Sequence, residues 1–382
     1  GLLLGPTKEQ PNLGPERTKE VETGLAVGLF GPRADGSITL YNDRTVGVIF
    51  RAALANSTGF INQAQNAATI RNRGIETQLN FRPIMRETLT WEVGLQWGKN
   101  QNEVLDLAGQ QFVDLLTSTQ SSFTGTVATA WKGSEVGVLR GNDFARCGFG
   151  LNVNGTDIDA ACAGAPKGAL YLGSDGLPIL DPTQRVIAVG SPKWTGSVRT
   201  TLTFRKFQLS GLLDIKHGGQ IWNGTRGALY FFGAHRDTQV RTKTVVLGKD
   251  WLPGPVGGPG AGIPIDFSAV DTSTGQTFGQ EFFQGIGGGF GPVASQFVED
   301  GGYTKLREIS VAYTFDQPWV RRALGLSSIG ARLAGRNLHT WTKYSGIDPE
   351  TNLAGALGAI QDVDYFNNPQ TRSIVLTFDL NR

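Results

Sequence analysis

The chain has 382 residues, 53 of them glycine, with a formal charge of +2 at pH 7; 39% of residues are hydrophobic and only 18% are charged. That charged share is below the usual quarter or so, and mean hydropathy is −0.16. The absence of any run of about 18 apolar residues excludes a membrane-spanning helix but not a β-barrel, whose strands alternate, and the absence of a Lys/Arg block excludes nucleic acid as a partner.

Gly1 to Leu4 is too short an apolar stretch for a secretory signal peptide and lacks its cationic flank, so a mature or N-terminally incomplete chain is expected. From Glu20 to Phe30, Val21, Thr23, Leu25, Val27 and Leu29 share one face, with Glu20, Glu22, Gly24, Ala26 and Gly28 on the other. A period of two marks a strand with unlike faces, because successive side chains point to opposite sides. A blurred version covers Ile38 to Phe50, and around Gly74 to Phe81 the set Ile75, Thr77, Leu79 and Phe81 opposes Glu76, Gln78 and Asn80. The clearest segment places Leu89, Trp91, Val93, Leu95 and Trp97 against Thr90, Glu92, Gly94, Gln96 and Gly98. A hairpin follows at Arg205-Lys206, with Val198, Thr200, Leu202 and Phe204 aligned before it and Phe207, Leu209, Leu213 and Ile215 after it. Ile309, Val311, Tyr313 and Phe315 form the next apolar set, then Ile329, Ala331 and Leu333, and last Ile374, Leu376, Phe378 and Leu380. These segments predict about nine or ten strands of membrane-spanning length.

Short connections follow Phe30, Phe81, Phe204 and Phe315, whereas long ones run from about Asn102 to Val186, His217 to Phe297 and Tyr344 to Pro369. Short turns at one end and long loops at the other are the asymmetry of an outer-membrane barrel with its long loops outside the cell. Within the loops, Pro253 to Pro264 reads as irregular and Ile221 to Phe232 as holding a short helix.

The expected fold is therefore all-β, an antiparallel transmembrane β-barrel spanning residues 1–382. Its lipid-facing set would be Val21, Leu25, Val27, Leu89, Trp91, Val93, Leu95, Trp97, Leu202, Phe204, Leu209, Val311, Tyr313, Leu376 and Phe378. Trp91 and Trp97 lie about 20 Å apart at about 3.3 Å per residue, which suits the two aromatic girdles of such barrels. Glycine-rich polar faces favour a wide ring with a filled lumen, so this chain is expected to be the C-terminal portion of a larger barrel. Two other readings use the same pattern. A secreted β-sandwich binding module would cover the apolar face with a second sheet, and a structural or adhesive outer-membrane protein would form the barrel without transport.

Cys147 and Cys162 lie in one Gly/Asn/Asp-rich stretch and predict a disulfide in an oxidising compartment, against the alternative of two separate thiols. His217, His235 and His339 are far apart without metal-ligand spacing, and no metal or cofactor is expected. Asp157 and Asp159 are weak calcium candidates against the plainer reading of solvated loop acids. Asp348 and Glu350 flank Pro349 and read as turn chemistry, since nothing fixes the second carboxylate that a glycosidase needs across a sugar. Gly287-Gly288-Gly289 lacks the strand-to-helix setting of a nucleotide fingerprint. An enzyme is not expected. Trp131, Trp222, Tyr230, Phe231 and Phe232 fall in the long loops and are candidates for contact with a ligand or a lid, by stacking on sugars or packing on peptide side chains. Packing of loop on loop is the alternative for each.

The ordered motifs carry a resemblance. They are Leu13-Gly14-Pro15-Glu16 with Glu20-Val21-Glu22-Thr23-Gly24, then Tyr41-Asn42-Asp43-Arg44-Thr45, then Asn72-Arg73-Gly74-Ile75-Glu76, then Trp91 with Asn100 and Val104. Next come Ser191-Pro192-Lys193-Trp194-Thr195-Gly196, Asp214 with Gly218-Gly219, and Leu306-Arg307-Glu308-Ile309-Ser310-Val311-Ala312-Tyr313. Asn337-Leu338 and Tyr344-Ser345-Gly346-Ile347-Asp348-Pro349-Glu350 close the series. In this order the chain resembles the SusC/RagA-type TonB-dependent outer-membrane receptors over nearly its whole length. The resemblance implies a barrel of about 22 strands with an N-terminal plug, set in the outer-membrane lipid of a Gram-negative bacterium. It implies import of nutrient fragments such as glycans or peptides, with TonB supplying energy through the missing N-terminal part and a SusD-like surface lipoprotein as lid. Phe378 is followed by Asp379-Leu380-Asn381-Arg382, a departure from the aromatic ending usual in the family.

Overall fold

The computed structural model describes residues 7–54, 56–60, 62–115, 125–162, 164–285, 287, 288, 290, 293–353 and 361–382. Gly1 to Leu4 and Gly289, weighed above, lie outside the described residues. Among the described residues nine long strands dominate: β1 (Arg17–Leu29), β2 (Ala34–Ala53), β3 (Asn62–Arg86), β4 (Leu89–Asp106), β5 (Trp194–Phe204), β6 (Phe207–His217), β7 (Tyr303–Phe315), β8 (Ser328–Thr342) and β9 (Ser373–Asn381). They pair antiparallel in that order as one meander, and Thr7–Lys8 adds a short parallel pairing to the start of β3. Among the described residues β1 and β9 are not paired with each other, so the sheet is an open wall.

The alternating segments lie in these strands, and register explains where the alternation fails. In β2 the pairing with β3 slips around Gly47, whose φ is +72°, a region that favours glycine. Val46 and Ile49 are therefore both exposed although their positions differ in parity. A second bulge, between Phe81 and Ile84 of β3, accommodates Pro83, which has no N–H to give to a ladder. The first half of β3 does not alternate because it packs on the loops, where Ala67, Ala68 and Thr69 are buried.

Direct pairing sets Trp91, Leu202, Leu209, Val311, Leu333 and Leu376 in one row from β4 to β9. A second row joins Leu79, Leu95, Val198 and Leu213. None of the residues expected to face lipid is buried, and among the described residues no second sheet lies over them. The β-sandwich reading fails on this point, because a sandwich would hide these rows. Water would not: an apolar row spanning six strands is the surface that hydrocarbon covers.

The largest hydrophobic core sits in the long connections. Leu139 and Phe144 from the β4–β5 loop, Trp222, Tyr230, Trp251, Phe267, Phe282, Phe283 and Phe297 from the β6–β7 loop, and Val363 from the β8–β9 loop form one cluster. The β4–β5 loop contributes a four-stranded sheet (Leu180–Ala188, Val136–Phe144, Thr126–Trp131, Phe112–Asp114). The helix expected within 221–232 is α1 (Gly224–Phe231), and a second, α2 (Phe278–Gln284), lies in the same loop. Pro253 to Pro264 is largely turn, with Val256–Gly257 paired to Leu170–Tyr171. The β7–β8 connection, expected as a short turn, holds helix α3 (Pro318–Leu324). Pro318 opens it, and Gly325 at φ 67° ends it.

Candidate functional site

Every second residue of the wall points away from the apolar rows, and this inner face is polar. Ser37, Thr39, Glu76, Gln78, Gln96, Ser197 and Asp214 line a trough on it. The trough connects to the loops through β7. The register of β7 against β6 sets Leu212 opposite Glu308 and Leu213 opposite Leu306, so Arg307 is an extra residue. This bulge turns Arg307 to the side that Glu308 also uses. Arg307 reaches the trough carboxylate of Asp214 at 2.5 Å and the loop carboxylate of Glu350 at 2.5 and 2.8 Å. Beside it the Lys305 ammonium donates to Asp348 at 2.7 Å and also to Glu350, and the Tyr303 hydroxyl donates to Glu350 at 2.8 Å. Burial alone would raise the Glu350 pKa, but the hydrogen bonds from Arg307, Lys305 and Tyr303 outweigh it and hold the group at about 2.

A second network binds the two later loops to each other. Glu299 accepts from the Ser345 N–H and hydroxyl, both at 2.8 Å, and from Arg226 at 3.1 Å. Arg226 also donates to the Tyr230 hydroxyl at 2.9 Å, and that hydroxyl donates to Asp237 at 2.7 Å. Burial, with the hydrogen bond to Asp237, pushes the Tyr230 pKa up to about 12. The Tyr344 hydroxyl donates to Asp364 at 2.5 Å, and burial followed by that bond raises its pKa as well. Burial lowers the pKa of His235, whose ring lies tilted 5.0 Å from that of Tyr230.

An aromatic patch lies on the outer surface of this loop layer. Phe231 and Phe232 at the end of α1 meet Phe290 at ring separations of 4.9 and 5.9 Å, and Phe290 meets Tyr365 at 6.5 Å. Tyr365 packs on Phe366 at 5.0 Å, and Phe232 and Phe366 are 66% and 56% exposed. Rings this open offer apolar area to a partner.

The candidate residues separate on this geometry. Phe231 and Phe232 fall in the patch. Trp222 and Tyr230 do not reach a surface: Trp222 is fully buried with its indole donating to the Ala294 carbonyl at 3.0 Å, and Tyr230 is in the same core. The expectation of ligand contact is corrected for these two, because a buried indole or phenol with its polar atom satisfied holds loops together. Trp131 is half-buried and stacks on Phe112 at 5.1 Å. Cys147 and Cys162 are bonded to each other. Asp157 caps a helical turn, and Asp159 accepts from the N–H groups of Gly148 and Gly150, so both are engaged by backbone. Among the described residues no group of His, Cys, Asp and Glu is placed to hold a metal ion. Phe290, Tyr365 and Phe366 were invisible to periodicity, since loop aromatics carry no repeat. Lys305 and Arg307 were hidden by the bulge.

A family model described as TonB dependent receptor-like, beta-barrel, matches residues 3–338. TonB-dependent receptor P26 of Formosa agariphila is 26% identical over 385 residues, covering 98% of this chain and 35% of that protein. TonB-dependent receptor P3 of the same organism is 24% identical, covering 97% and 34%. TonB-dependent receptor SusC of Bacteroides thetaiotaomicron is 30% identical over 99 residues, covering 26% of this chain and 10% of that protein. The solved RagAB peptide transporter superposes with a TM-score of 0.61 at 16% identity over 96% of this chain and 35% of that one, a likeness of fold. The chain spans about a third of the length of the first two relatives.

Proposed function

This chain belongs to the TonB-dependent receptor β-barrel family, and on that footing we propose that it is the C-terminal part of the wall and outer loops of an outer-membrane importer of nutrient fragments. The observation that carries the proposal is the pairing of an uncovered apolar outer face with a polar inner trough, under loops that fold into their own layer. Lipid takes the first face and a hydrated, plugged lumen the second. In this reading energy arrives from TonB through segments N-terminal to this chain, and a SusD-like surface lipoprotein closes over the loop layer. Phe231 and Phe232, with Phe290, Tyr365 and Phe366, contact the incoming peptide or glycan or that lid. No chemical step is part of the proposal.

The test is expression with the whole reading frame in a Gram-negative host, followed by outer-membrane fractionation and measurement of peptide and oligosaccharide uptake. The reading expects heat-modifiable migration from the outer-membrane fraction and uptake abolished by loss of TonB. Recovery as a soluble protein, or uptake indifferent to TonB, would overturn it.

A further inference from the structure

The short-turn end of the wall carries an aromatic and cationic collar that import does not use. Phe204 and Phe207 flank the β5–β6 turn and are exposed, and Tyr313 and Phe315 pack edge to face at 4.7 Å at the end of β7. Helix α3 follows directly. It buries Val320 against the wall and leaves Trp319 and Leu324 more than half exposed. Arg205 lies 5.5 Å over the Phe204 ring, and Arg321 and Arg322 stand in the last turn of α3. Lys206 is paired with Asp316, while Arg205, Arg321 and Arg322 have no ion pair among the described residues. That pair and the Thr314 N–H donating to the Lys206 carbonyl at 3.1 Å hold the Arg205-Lys206 turn beside the entry to α3.

We propose that α3 and the Arg205-Lys206 turn dock the headgroup phosphate of an anionic phospholipid in the periplasmic leaflet, with Trp319 and Leu324 set in the boundary of its acyl chains. Three features select this occupant over water or protein. The collar continues the apolar rows that meet hydrocarbon, its tryptophan and leucine have the amphipathic character of an interfacial anchor, and its unpaired guanidinium groups match a phosphate fork. Short turns face the periplasm in outer-membrane barrels, so the lipid is the phospholipid of the inner-facing leaflet. The inference rests on the barrel reading above.

The test uses protein expressed with its whole reading frame and reconstituted in phosphatidylcholine nanodiscs containing phosphatidylglycerol. Native mass spectrometry then counts the phosphatidylglycerol retained on release. Each arginine near the surface is worth about a five-fold change in binding. The Arg205→Gln/Arg321→Gln/Arg322→Gln variant should lose most of the retained lipid, while Lys249→Gln in the outer loops should lose none. Equal retention in the triple variant would overturn the proposal, and so would displacement of the lipid by inorganic phosphate alone. A second arm compares parent and Trp319→Phe for quenching by acyl-brominated lipid. Quenching of Trp319 supports the site. If Trp91 and Trp97 are quenched and Trp319 is not, the barrel stands and the docking site falls; if none is quenched, both fall.

Discussion

Lys305 and Asp348, 43 residues apart in sequence, form an ion pair at 2.7 Å with side chains only 4% and 8% exposed. The pair joins a wall strand to the loop after β8, and Glu350 and Arg307 complete it. Two carboxylates at this depth depend on their cations, because a buried charge without a partner is strongly destabilising. Lys305→Met is therefore expected to destabilise the loop by about 3–5 kcal/mol. Limited proteolysis should then cut between residues 344 and 353, and the heat-modifiable transition should fall in temperature. An unchanged digest would show that the loop is held elsewhere.

The same network sets a pH limit. The Glu350 pKa lies at about 2 in the folded state, against an ordinary value of 4.5. A depressed carboxylate contributes stability that is complete above its unfolded pKa and is lost as pH falls through the folded one. Protease resistance of this loop should stay constant down to pH of about 4.5 and decline from there toward about 2. In Glu350→Gln the acid dependence from this group should vanish, with a lower plateau at neutral pH.

The loop aromatics divide into buried and exposed residues. Trp222→Ala opens a cavity in the largest core and is expected to cost about 3–5 kcal/mol. Phe232→Ala should change stability by no more than about 0.5 kcal/mol, because an exposed ring has little packing to lose. Only the second variant tests binding: it should weaken peptide or glycan capture while leaving thermal unfolding in place. Equal effects of the two on unfolding would contradict the burial described.

The bond between Cys147 and Cys162 closes a 15-residue loop. A loop of this length is worth about 3 kcal/mol by the chain-entropy account. Reduction should loosen the segment around Ile158–Ala161 and raise its hydrogen exchange without altering the wall. Two thiols alkylated without reductant would refute the pairing.

The wall was legible in sequence because lipid and lumen impose opposite demands on adjacent residues. Leu89 to Gly98 shows this plainly, and its strand pairs along the whole segment. Where the register slips, the pattern misleads. Lys305, Arg307 and Ile309 have the same parity, yet the bulge at Arg307 sends the cations inward and leaves Ile309 exposed. Burial of Trp222 and Tyr230 was unreadable for a different reason: their neighbours come from three separate loops, and no local spacing encodes such contacts. Helix α3 spans seven residues, too few to show a helical period.

The rows through Trp91 and Leu95 are set to meet hydrocarbon while their neighbours meet water. Spin labels placed singly at positions 91 to 96, in protein reconstituted in bilayers, measure this through collision with oxygen and with a water-soluble nickel chelate. A period of two is expected, with oxygen dominant at 91, 93 and 95 and nickel dominant at 92, 94 and 96. Low collision with both agents at 91, 93 and 95 would place these side chains under a layer of protein and rule out their contact with lipid.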